Sequence, residues 1–480
     1  MDRPIRWHDY ITININWFAL TARSQVLTPL LIPLLVQQFV GDEAKGAYVG
    51  IIRLWALMFA VLMQAFMGMV SDASRLPWGR RRPFIFIGTL GEIVIFMLIG
   101  LAAGLEGLTG FWVLFALYVL SMLSANTSHA ATQGLIPDLV PDSKKGAFAG
   151  VKALLELPVP LIFVSFVIGR QAARGDLWGA LFTLSAAMLI GMGIAMFAPE
   201  KKLPGPAARL EWRPLGRLLG MTLAFTAIIL TTGWIVRQFT AAALAVAPGV
   251  SLWLVGALGL AGMAAASILG VWASLRVGFG REFQANRSFT WWVINRLVAL
   301  VALTNLASFL VFFLQERFPD LAGEKAAGPA ANVVLFVGVF ILLTALPSGW
   351  LADKFGKKPL IAASSLLAAL GTFLVILAPG MTVVYVGGCL VGAGTGLFYS
   401  ANWALGTEIV PPKRAGEYLG MSNLAGAGAG AVGAYIGGPI ADQTSYVLLM
   451  GIYAFLLLLA LLPLAAIQER KNGRSPEGVG

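Results

Sequence analysis

The sequence predicts an all-α polytopic membrane protein, built as two groups of six transmembrane helices with two further helices inserted between them. Three observations lead to this fold class. The 480 residues are 58% hydrophobic and only 12% charged, with a mean hydropathy of +0.81. A water-soluble globule cannot bury that much apolar surface, so lipid must act as the solvent. Apolar stretches recur from residue 12 to residue 466, and the two ends of the chain share a repeated pattern.

Stretches of about 20 apolar residues, long enough to cross ~30 Å of hydrocarbon, define about fourteen spans. The first group lies near 12–38, 47–71, 84–104, 110–136, 147–169 and 176–198, followed by two inserted spans near 216–246 and 250–275. The last group lies near 288–314, 331–352, 359–379, 381–406, 417–440 and 445–467. The expected parts are an N-terminal six-helix bundle (1–200), a cytoplasmic linker with the two inserted helices (201–285), and a C-terminal six-helix bundle with a cytoplasmic tail (286–480).

The distribution of lysine and arginine along the chain predicts its orientation in the membrane. When the chain is threaded with its amino terminus inside, most of the 34 basic residues fall in cytoplasmic segments, as the positive-inside rule requires. Both termini are therefore expected in the cytoplasm, in an inner or plasma membrane, and the first span is too long for a cleavable signal peptide. The net charge of +11 reflects this topology, and the dispersed basic clusters do not indicate nucleic-acid binding. The single cysteine, Cys389, is expected to be a small packing residue.

An internal repeat relates the two groups of six. Gly68–Pro83 follows the second span, and Gly349–Pro359 follows the equivalent span of the second group. Both hold G-x-x-x-D and then a glycine, basic residues and proline; the first copy has four extra residues between the aspartate and the glycine, and three basic residues where the second has two. Asp138–Gly150 matches Glu408–Gly420 with identical spacing of acid, prolines and glycines. Because each copy follows the same span of its own group, the two halves have parallel topology.

These motifs resemble the signature loops of the major facilitator superfamily, and the inserted pair of helices resembles its fourteen-span members. The triple arginine of Gly79–Pro83 together with Leu135–Pro141 is similar to the sucrose-transporter and glycoside-pentoside-hexuronide branch. Where sucrose-type members carry an aspartate four residues before an asparagine in the fourth span, this sequence has Met122 before Asn126. The resemblance implies a major facilitator fold that moves a small solute by alternating access.

Charged loop residues are expected to latch one state of such a transporter. An aspartate at the end of a span can face a helix N-terminus or an arginine across the interface between halves, worth on the order of 1 kcal/mol or more. The resemblance assigns the latch to Asp72 and Asp353, the surrounding charge network to Arg80, Arg81, Arg82, Lys357 and Lys358, and the second set of loops to Asp138, Glu408 and Arg414. The alternative is that the basic residues only enforce topology and touch lipid headgroups.

Charged side chains inside spans are costly when they face lipid, so they are expected to face a cavity or a partner. The set comprises Arg23, Arg53, Glu92, Lys152, Glu156 and Arg296. By resemblance, the helices that line the cavity add Asn126, His129, Asn305, Tyr399, Asn402 and Trp403 to Arg23 and Arg296 as candidates for binding the substrate or the proton.

Two carboxylates are candidate proton carriers. Lys152 and Glu156 stand four residues apart and share a helix face, so they form either a structural ion pair or a proton site. Glu92 is the other candidate, and His129 either titrates or joins two helices by a hydrogen bond. The glycines of 426–433 permit close packing or a hinge.

Enzyme functions are disfavoured, because no P-loop, nucleophile elbow, dinucleotide fingerprint or metal-ligand spacing stands in a suitable setting. No cofactor is expected, and an ion gradient, by default of protons, is the expected source of energy. Three functions remain open: a symporter of a solute such as a sugar, a proton-coupled exporter of amphiphilic compounds, and a non-transporting factor for lipid or pigment assembly. Aromatic and amide side chains such as Tyr399, Asn402 and Trp403 favour a sugar.

Overall fold

The structure is a computed structural model that describes residues 5–200, 212–246, 251–280, 286–410 and 415–467. These ranges are almost entirely helical and hold no strand. Within them, fourteen helices are long and apolar enough to cross a membrane, which confirms the predicted number of spans and the all-α fold class.

The spans are numbered in chain order. The first six are α1 (Asp9–Val40), α2 (Lys45–Ala73), α3 (Arg82–Ala102), α4 (Gly107–Leu139), α5 (Lys145–Ala172) and α6 (Leu177–Ala195). The inserted pair consists of α7 (Trp212–Val246) and α8 (Ser251–Phe279). The last six are α9 (Arg287–Ser308), α10 (Ala327–Phe355), α11 (Lys357–Ile376), α12 (Met381–Ile409), α13 (Ala415–Gln443) and α14 (Tyr446–Leu459).

Two spans depart from regular α-helix. The chain of α1 passes through a π-helical turn at Leu27–Leu31. The helix of α5 is interrupted at Leu157, whose φ and ψ are −119° and −77°. Pro158 and Pro160 follow the break, and because proline has no N–H to donate, they cannot continue the hydrogen bonding of the preceding turn. Glu156 therefore lies at the end of a helical segment.

The two ends of the bundle differ. We name the end that carries Arg80, Arg81, Arg82, Lys357 and Lys358 the basic side, and the opposite end the closed side. On the closed side α2 and α13 touch at their backbones: a Cβ atom added to Gly438 would lie 2.0 Å from the carbonyl oxygen of Gly46, and one added to Gly50 would lie 2.6 Å from that of Ala434. Only residues without a side chain permit this approach.

Polar contacts reinforce the closed side. Asp442, on α13, accepts hydrogen bonds from the backbone N–H groups of Gly46 and Ala47 at 2.8 and 2.7 Å, and so caps the first turn of α2 from the other half. The Ser165 hydroxyl on α5 donates to the amide oxygen of Asn332 on α10 at 2.5 Å. The two groups of six are thus joined at this end by α2 with α13 and by α5 with α10.

The basic side is loosely packed. On α10, Leu346 and Trp350 are 74% and 62% exposed. A Cβ atom added to Gly150 on α5 or to Gly349 on α10 would meet nothing within 4 Å. On α5, residues 158–172 pack on α10 whereas Lys145–Glu156 does not pack closely on it, so the two helices separate toward the basic side and the molecule is open in that direction.

The inserted helices pack on each other and on the second group. The Phe225 ring of α7 lies between Gly270 of α8 and Gly428 of α13, where added Cβ atoms would fall 1.9 and 1.8 Å from ring atoms. Further along α13, Gly430 faces Leu57 of α2 and Gly433 faces Asn305 of α9. The glycines of 426–433 thus let α13 contact three different helices closely.

Replacing Gly438 with valine should open the closed side. The new side chain would collide with the Gly46 backbone, which cannot move aside as a flexible side chain can, so we expect a cost of about 1–3 kcal/mol in the closed arrangement. That cost corresponds to a population shift of about 5- to 150-fold. Spin labels at Glu106 and Asp320, both exposed on closed-side loops, should report a longer distance in a Cys389→Ala background.

Gly451→Val serves as the control, because a Cβ atom at Gly451 would meet nothing within 4 Å. An unchanged label distance in the Gly438 variant, together with unchanged thermal stability, would show that the glycine contact does not hold this side shut.

Candidate functional site

A buried ion pair connects three helices of the first group. Arg23 of α1 donates from Nε to the Oε1 atom of Glu92 on α3 at 2.8 Å, and from Nη2 to the Ser121 hydroxyl on α4 at 2.7 Å. Ser121 donates in turn to Glu92 Oε1 at 2.6 Å. Arg23 is 5% exposed and Glu92 is fully buried. The second carboxylate oxygen of Glu92 has no hydrogen-bond partner among the described residues, so a proton can be added there without displacing a hydrogen bond.

A second polar cluster is centred on Asn402 in the second group. Its amide oxygen accepts from Arg296 Nη1 of α9 at 3.1 Å, and its amide nitrogen donates to Asn295 Oδ1 at 2.9 Å. Its backbone carbonyl accepts from the Trp292 indole at 2.8 Å. Arg296 also lies over the Trp403 ring, 5.5 Å from the centroid. Amide groups and aromatic rings, and no described carboxylate, surround this arginine.

The aromatic side chains beside this cluster are accessible. Tyr399 and Trp403 are each 40% exposed, although Asn402 between them is fully buried. The α12 helix therefore presents two rings on its accessible face and its amide toward α9. Asn305, by contrast, donates to the carbonyl groups of Val301 and Ala429 at 2.8 and 3.2 Å and thus joins α9 to α13.

A third polar group lies on α1, α4 and α5. Lys152 and Glu156 form the predicted ion pair at 3.1 Å, with 29% and 35% of the side chains exposed. Lys152 Nζ also sits 3.9 Å from the centroid of the Trp17 ring. The His129 ring meets Trp17 edge to face, with centroids 5.4 Å apart, and its Nε2 lies 3.1 Å from the Gln133 amide nitrogen. Lys152 and Glu156 are thus half-buried, unlike Arg23 and Glu92.

Two residues that the sequence analysis named as site candidates, Asn126 and Arg53, lie outside these polar clusters. Asn126 donates to the carbonyl oxygen of Met122 at 2.8 Å, on its own helix. Arg53 of α2 is 7% exposed, and its Nε and Nη1 atoms have no hydrogen-bond partner among the described residues. The structure thus brings Arg23 to Glu92, Lys152 to Glu156 and Arg296 to Asn402, and leaves Arg53 outside these three clusters.

On the basic side, the motif residues form contacts within their own half. Arg81 donates from Nε to Asp138 at 2.7 Å and from Nη1 to Ser71 at 2.6 Å. Asp72, 57% exposed, accepts from Arg80 and Arg81 at 2.7 and 2.5 Å. In this conformation the Asp72 carboxylate is therefore paired inside the first group.

The second half repeats these contacts. Lys357 pairs with Glu408 as Arg81 pairs with Asp138. Lys358 donates to the carbonyl oxygen of Ile467 beyond α14 at 2.7 Å, whereas Arg82 donates to that of Met196 beyond α6, also at 2.7 Å. The sequence repeat is therefore also a repeat of side-chain contacts.

Two residues predicted to take part in gating remain, Asp353 and Arg414. Asp353 is exposed, and no ion pair joins it to another described residue. Arg414 lies outside the described residues.

Glu200 makes contacts that the sequence analysis did not predict. Its carboxylate accepts the backbone N–H groups of Arg81 and Arg82 at 2.6 and 3.0 Å, and so caps α3. Burial raises the pKa of this carboxyl above its ordinary value, opposed by the backbone N–H donors. A Cβ atom at Gly79, whose φ is +115°, would fall 2.4 Å from the Glu200 carboxylate, which explains the glycine of the motif.

Other missed residues are Ser121 and Asn295, which complete the two buried clusters. Both are polar residues inside apolar spans. Such residues usually hydrogen-bond to a neighbouring helix, so their position in the sequence could have identified them.

Gly134→Leu should break the Arg81 contacts. A Cβ atom at Gly134 would fall 2.4 Å from the guanidinium carbon of Arg81 and would displace that side chain from Asp138 and Ser71. Leaving buried donors unpaired costs about 1–3 kcal/mol, so thermal unfolding in detergent should occur at lower temperature. Gly193→Leu, at a position with nothing within 4 Å of an added Cβ, should unfold as the native protein does; equal losses in the two variants would contradict the assignment.

Segments of the chain are similar in sequence to a protein family and to individual known proteins. The family model described as Major Facilitator Superfamily matches residues 297–479. The minor myo-inositol transporter IolF of Bacillus subtilis (strain 168) is 31% identical over 118 residues, 25% of this chain and 27% of that protein. The lactose permease of Lactobacillus helveticus is 28% identical over 186 residues, 35% of this chain and 29% of that protein. The multidrug resistance protein MdtH of Aeromonas salmonicida (strain A449) is 29% identical over 179 residues, 35% of this chain and 45% of that protein. The matched segments span less than half of each of these relatives.

Solved structures extend the likeness to almost the whole chain. A D-xylose-proton symporter has a TM-score of 0.64 and 17% identity, covering 95% of this chain and 97% of that one. The nucleoside transporter NupG has a TM-score of 0.64 and 13% identity, covering 96% and 99%. At these identities the likeness shows the fold. The family match thus lies in the second half of the chain, and the fold shared with these transporters extends over almost all of it.

Proposed function

We propose that this protein is a secondary active transporter that moves a small polar solute by alternating access, with the proton as the coupling ion. The observation that carries the proposal is the asymmetry of the two ends. The halves are joined by close backbone contacts on the closed side and are separated on the basic side. Such an arrangement is one of the two states that alternating access requires, and closing one end while opening the other exchanges the states.

The orientation follows from the distribution of basic residues. With the basic side in the cytoplasm, as the positive-inside rule favours, the structure is the inward-open state, and both termini are cytoplasmic. We place the protein in an inner or plasma membrane. A non-transporting assembly factor would have no need of an opening between the halves.

The coupling site we propose is Glu92. A carboxylate in a low-dielectric interior favours the protonated form, and a neighbouring cation favours the charged form. Arg23 and Ser121 hold one oxygen of Glu92, while the other has no partner. Movement of α1 relative to α3 would withdraw Arg23 and let the carboxylate take up a proton. The π-helical turn at Leu27–Leu31 lies one turn beyond Arg23 on α1, and such turns frequently occur at functional sites.

The solute surface we propose lies between the halves. It combines the accessible rings of Tyr399 and Trp403 with the pair Lys152 and Glu156 from the other half. Rings and hydrogen-bonding groups of this kind suit polyhydroxylated solutes, and the relatives named for myo-inositol and lactose agree with that class. The sucrose-transporter and glycoside-pentoside-hexuronide branch remains our assignment within the superfamily.

The function can be tested in liposomes that contain the purified protein and an internal pH dye. Lactose, xylose, myo-inositol and a cationic amphiphile are added separately with no imposed gradient. Internal acidification with a polar solute supports proton symport. Proton movement with the amphiphile alone would favour an exporter, and no proton or solute movement with any compound would count against transport.

Glu92→Gln should abolish solute-driven proton movement while exchange of labelled solute across the membrane continues. Glutamine keeps the size and the hydrogen bonds of the side chain but cannot carry a proton. The dye signal should fall to background, and exchange should stay within about threefold of the native rate.

Glu156→Gln is the matched comparison, because Glu156 is a paired but partly exposed carboxylate on α5. Since Glu156 belongs to the proposed solute surface, this variant should need more solute, but proton movement should persist at saturating solute concentration. The reverse pattern, with loss in Glu156→Gln and retention in Glu92→Gln, would transfer the coupling role to Glu156.

A further inference from the structure

The charges inside the spans do not balance. Two of the four cations near mid-bilayer have an acidic partner: Arg23 contacts Glu92 and Lys152 contacts Glu156. Arg53 and Arg296 have none among the described residues. The interior of the bundle therefore carries two positive charges that no described carboxylate compensates.

The Arg53 guanidinium lies between the halves. Arg53 is on α2, and its Nη2 atom is 3.2 Å from the position of a Cβ atom on Gly430 of α13. The Thr304 hydroxyl of α9 lies 4.0 Å from the same point. Arg53 stands eight residues into α2, about 12 Å below its closed-side end. This cation is therefore placed beneath the closed side, between one helix of the first half and two of the second.

Arg296 is similarly isolated. It is 8% exposed, its Nε atom has no hydrogen-bond partner among the described residues, and Nη1 contacts only the neutral amide of Asn402. The Trp403 ring beside it is itself accessible. Arg296 stands nine residues into α9, about 14 Å from the basic-side end of that helix. This arginine thus borders the space between the halves at mid-depth.

Burying an arginine without a counter-charge is costly. Arginine stays protonated in proteins, so it cannot avoid the cost by losing its charge, and an ion left without a partner in a low-dielectric interior is strongly destabilising. Neutral amides and rings reduce this cost but do not cancel the charge. No described acid faces Arg53 or Arg296 as Glu92 faces Arg23 and Glu156 faces Lys152, so an acidic ligand would supply the counter-charge that these two arginines lack.

We propose that the transported solute is a small organic anion, and that Arg53 and Arg296 supply the positive charge that attracts and holds its acidic group. The acidic group binds at Arg296 in the inward-open state, and the rest of the molecule contacts Trp403 and Tyr399. Arg53, beneath the closed side, meets the anion when that side opens. This inference rests on the transport function proposed above.

The first test needs no ligand. Arg53→Met removes an uncompensated charge and keeps a side chain of similar length, so the ligand-free protein in detergent should be as stable as the native protein or more so. Arg23→Met should be less stable, because it leaves the Glu92 carboxylate buried without its cation. A fall in Tm for Arg53→Met as large as that for Arg23→Met would show that Arg53 is a compensated structural group and would overturn the proposal.

The second test measures binding by thermal shift. The probes are matched pairs of acidic and neutral compounds: gluconate with sorbitol, and glycerol 3-phosphate with glycerol. A charge-assisted contact predicts that an acidic member binds about tenfold or more tightly than its neutral counterpart. Arg296→Gln should reduce that affinity at least tenfold, while Gly451→Val should leave it unchanged. Equal binding of acidic and neutral members, or binding by none of the anions, would overturn the proposal.

Uptake into liposomes separates this inference from the transport function. Transport of lactose or xylose with no anion binding would leave the transport function standing and remove the anion site. Anion binding that depends on Arg296, without uptake of any solute, would leave the anion site standing and remove the transport function. Uptake of gluconate or glycerol 3-phosphate that Arg53→Met and Arg296→Gln each reduce at least tenfold supports both.

Discussion

A charge in the hydrocarbon layer must have a partner or reach water, and the arrangement of this protein depends on how that constraint is met. Arg23 and Glu92 satisfy it deep in the first group and hold α1, α3 and α4 together. Lys152 and Glu156 satisfy it partly by pairing and partly by exposure. Because each pair lies within one half, neither pair ties the halves together, and their contact on the closed side includes the glycines of α2 and α13, Asp442 and the hydrogen bond from Ser165 to Asn332.

Much of the fold could be predicted from the sequence, because span length, charge bias and the repeated loops are local properties. The fourteen spans and the pairing of Lys152 with Glu156 needed only helical spacing. The repeat predicted equivalent loops, and the structure gives those loops equivalent contacts: Arg81 with Asp138, and Lys357 with Glu408. The proposed roles of these loop residues in gating stay predictions.

Tertiary partners could not be predicted. Arg23 and Glu92 are 69 residues apart, and hydropathy does not reveal which faces of their helices meet. Ser121 and Glu200 were missed for the same reason, since a hydroxyl or a carboxylate becomes informative only when its neighbours are known. The conformational state was also beyond prediction, because the proposed mechanism requires the same sequence to adopt two states and no sequence pattern distinguishes them.

The lone arginines also respond to the membrane potential. A charge that crosses the full field exchanges about 2.3 kcal/mol per 100 mV with it, and Arg53 and Arg296 lie within the spans. The membrane potential is divided between the two sides of each arginine. Any conformational step that changes this division therefore depends on voltage when no anion is bound. In the proposed transport cycle, partial neutralisation by a bound anion would make the loaded step less voltage dependent, and the membrane potential would then act mainly on the return of the empty protein.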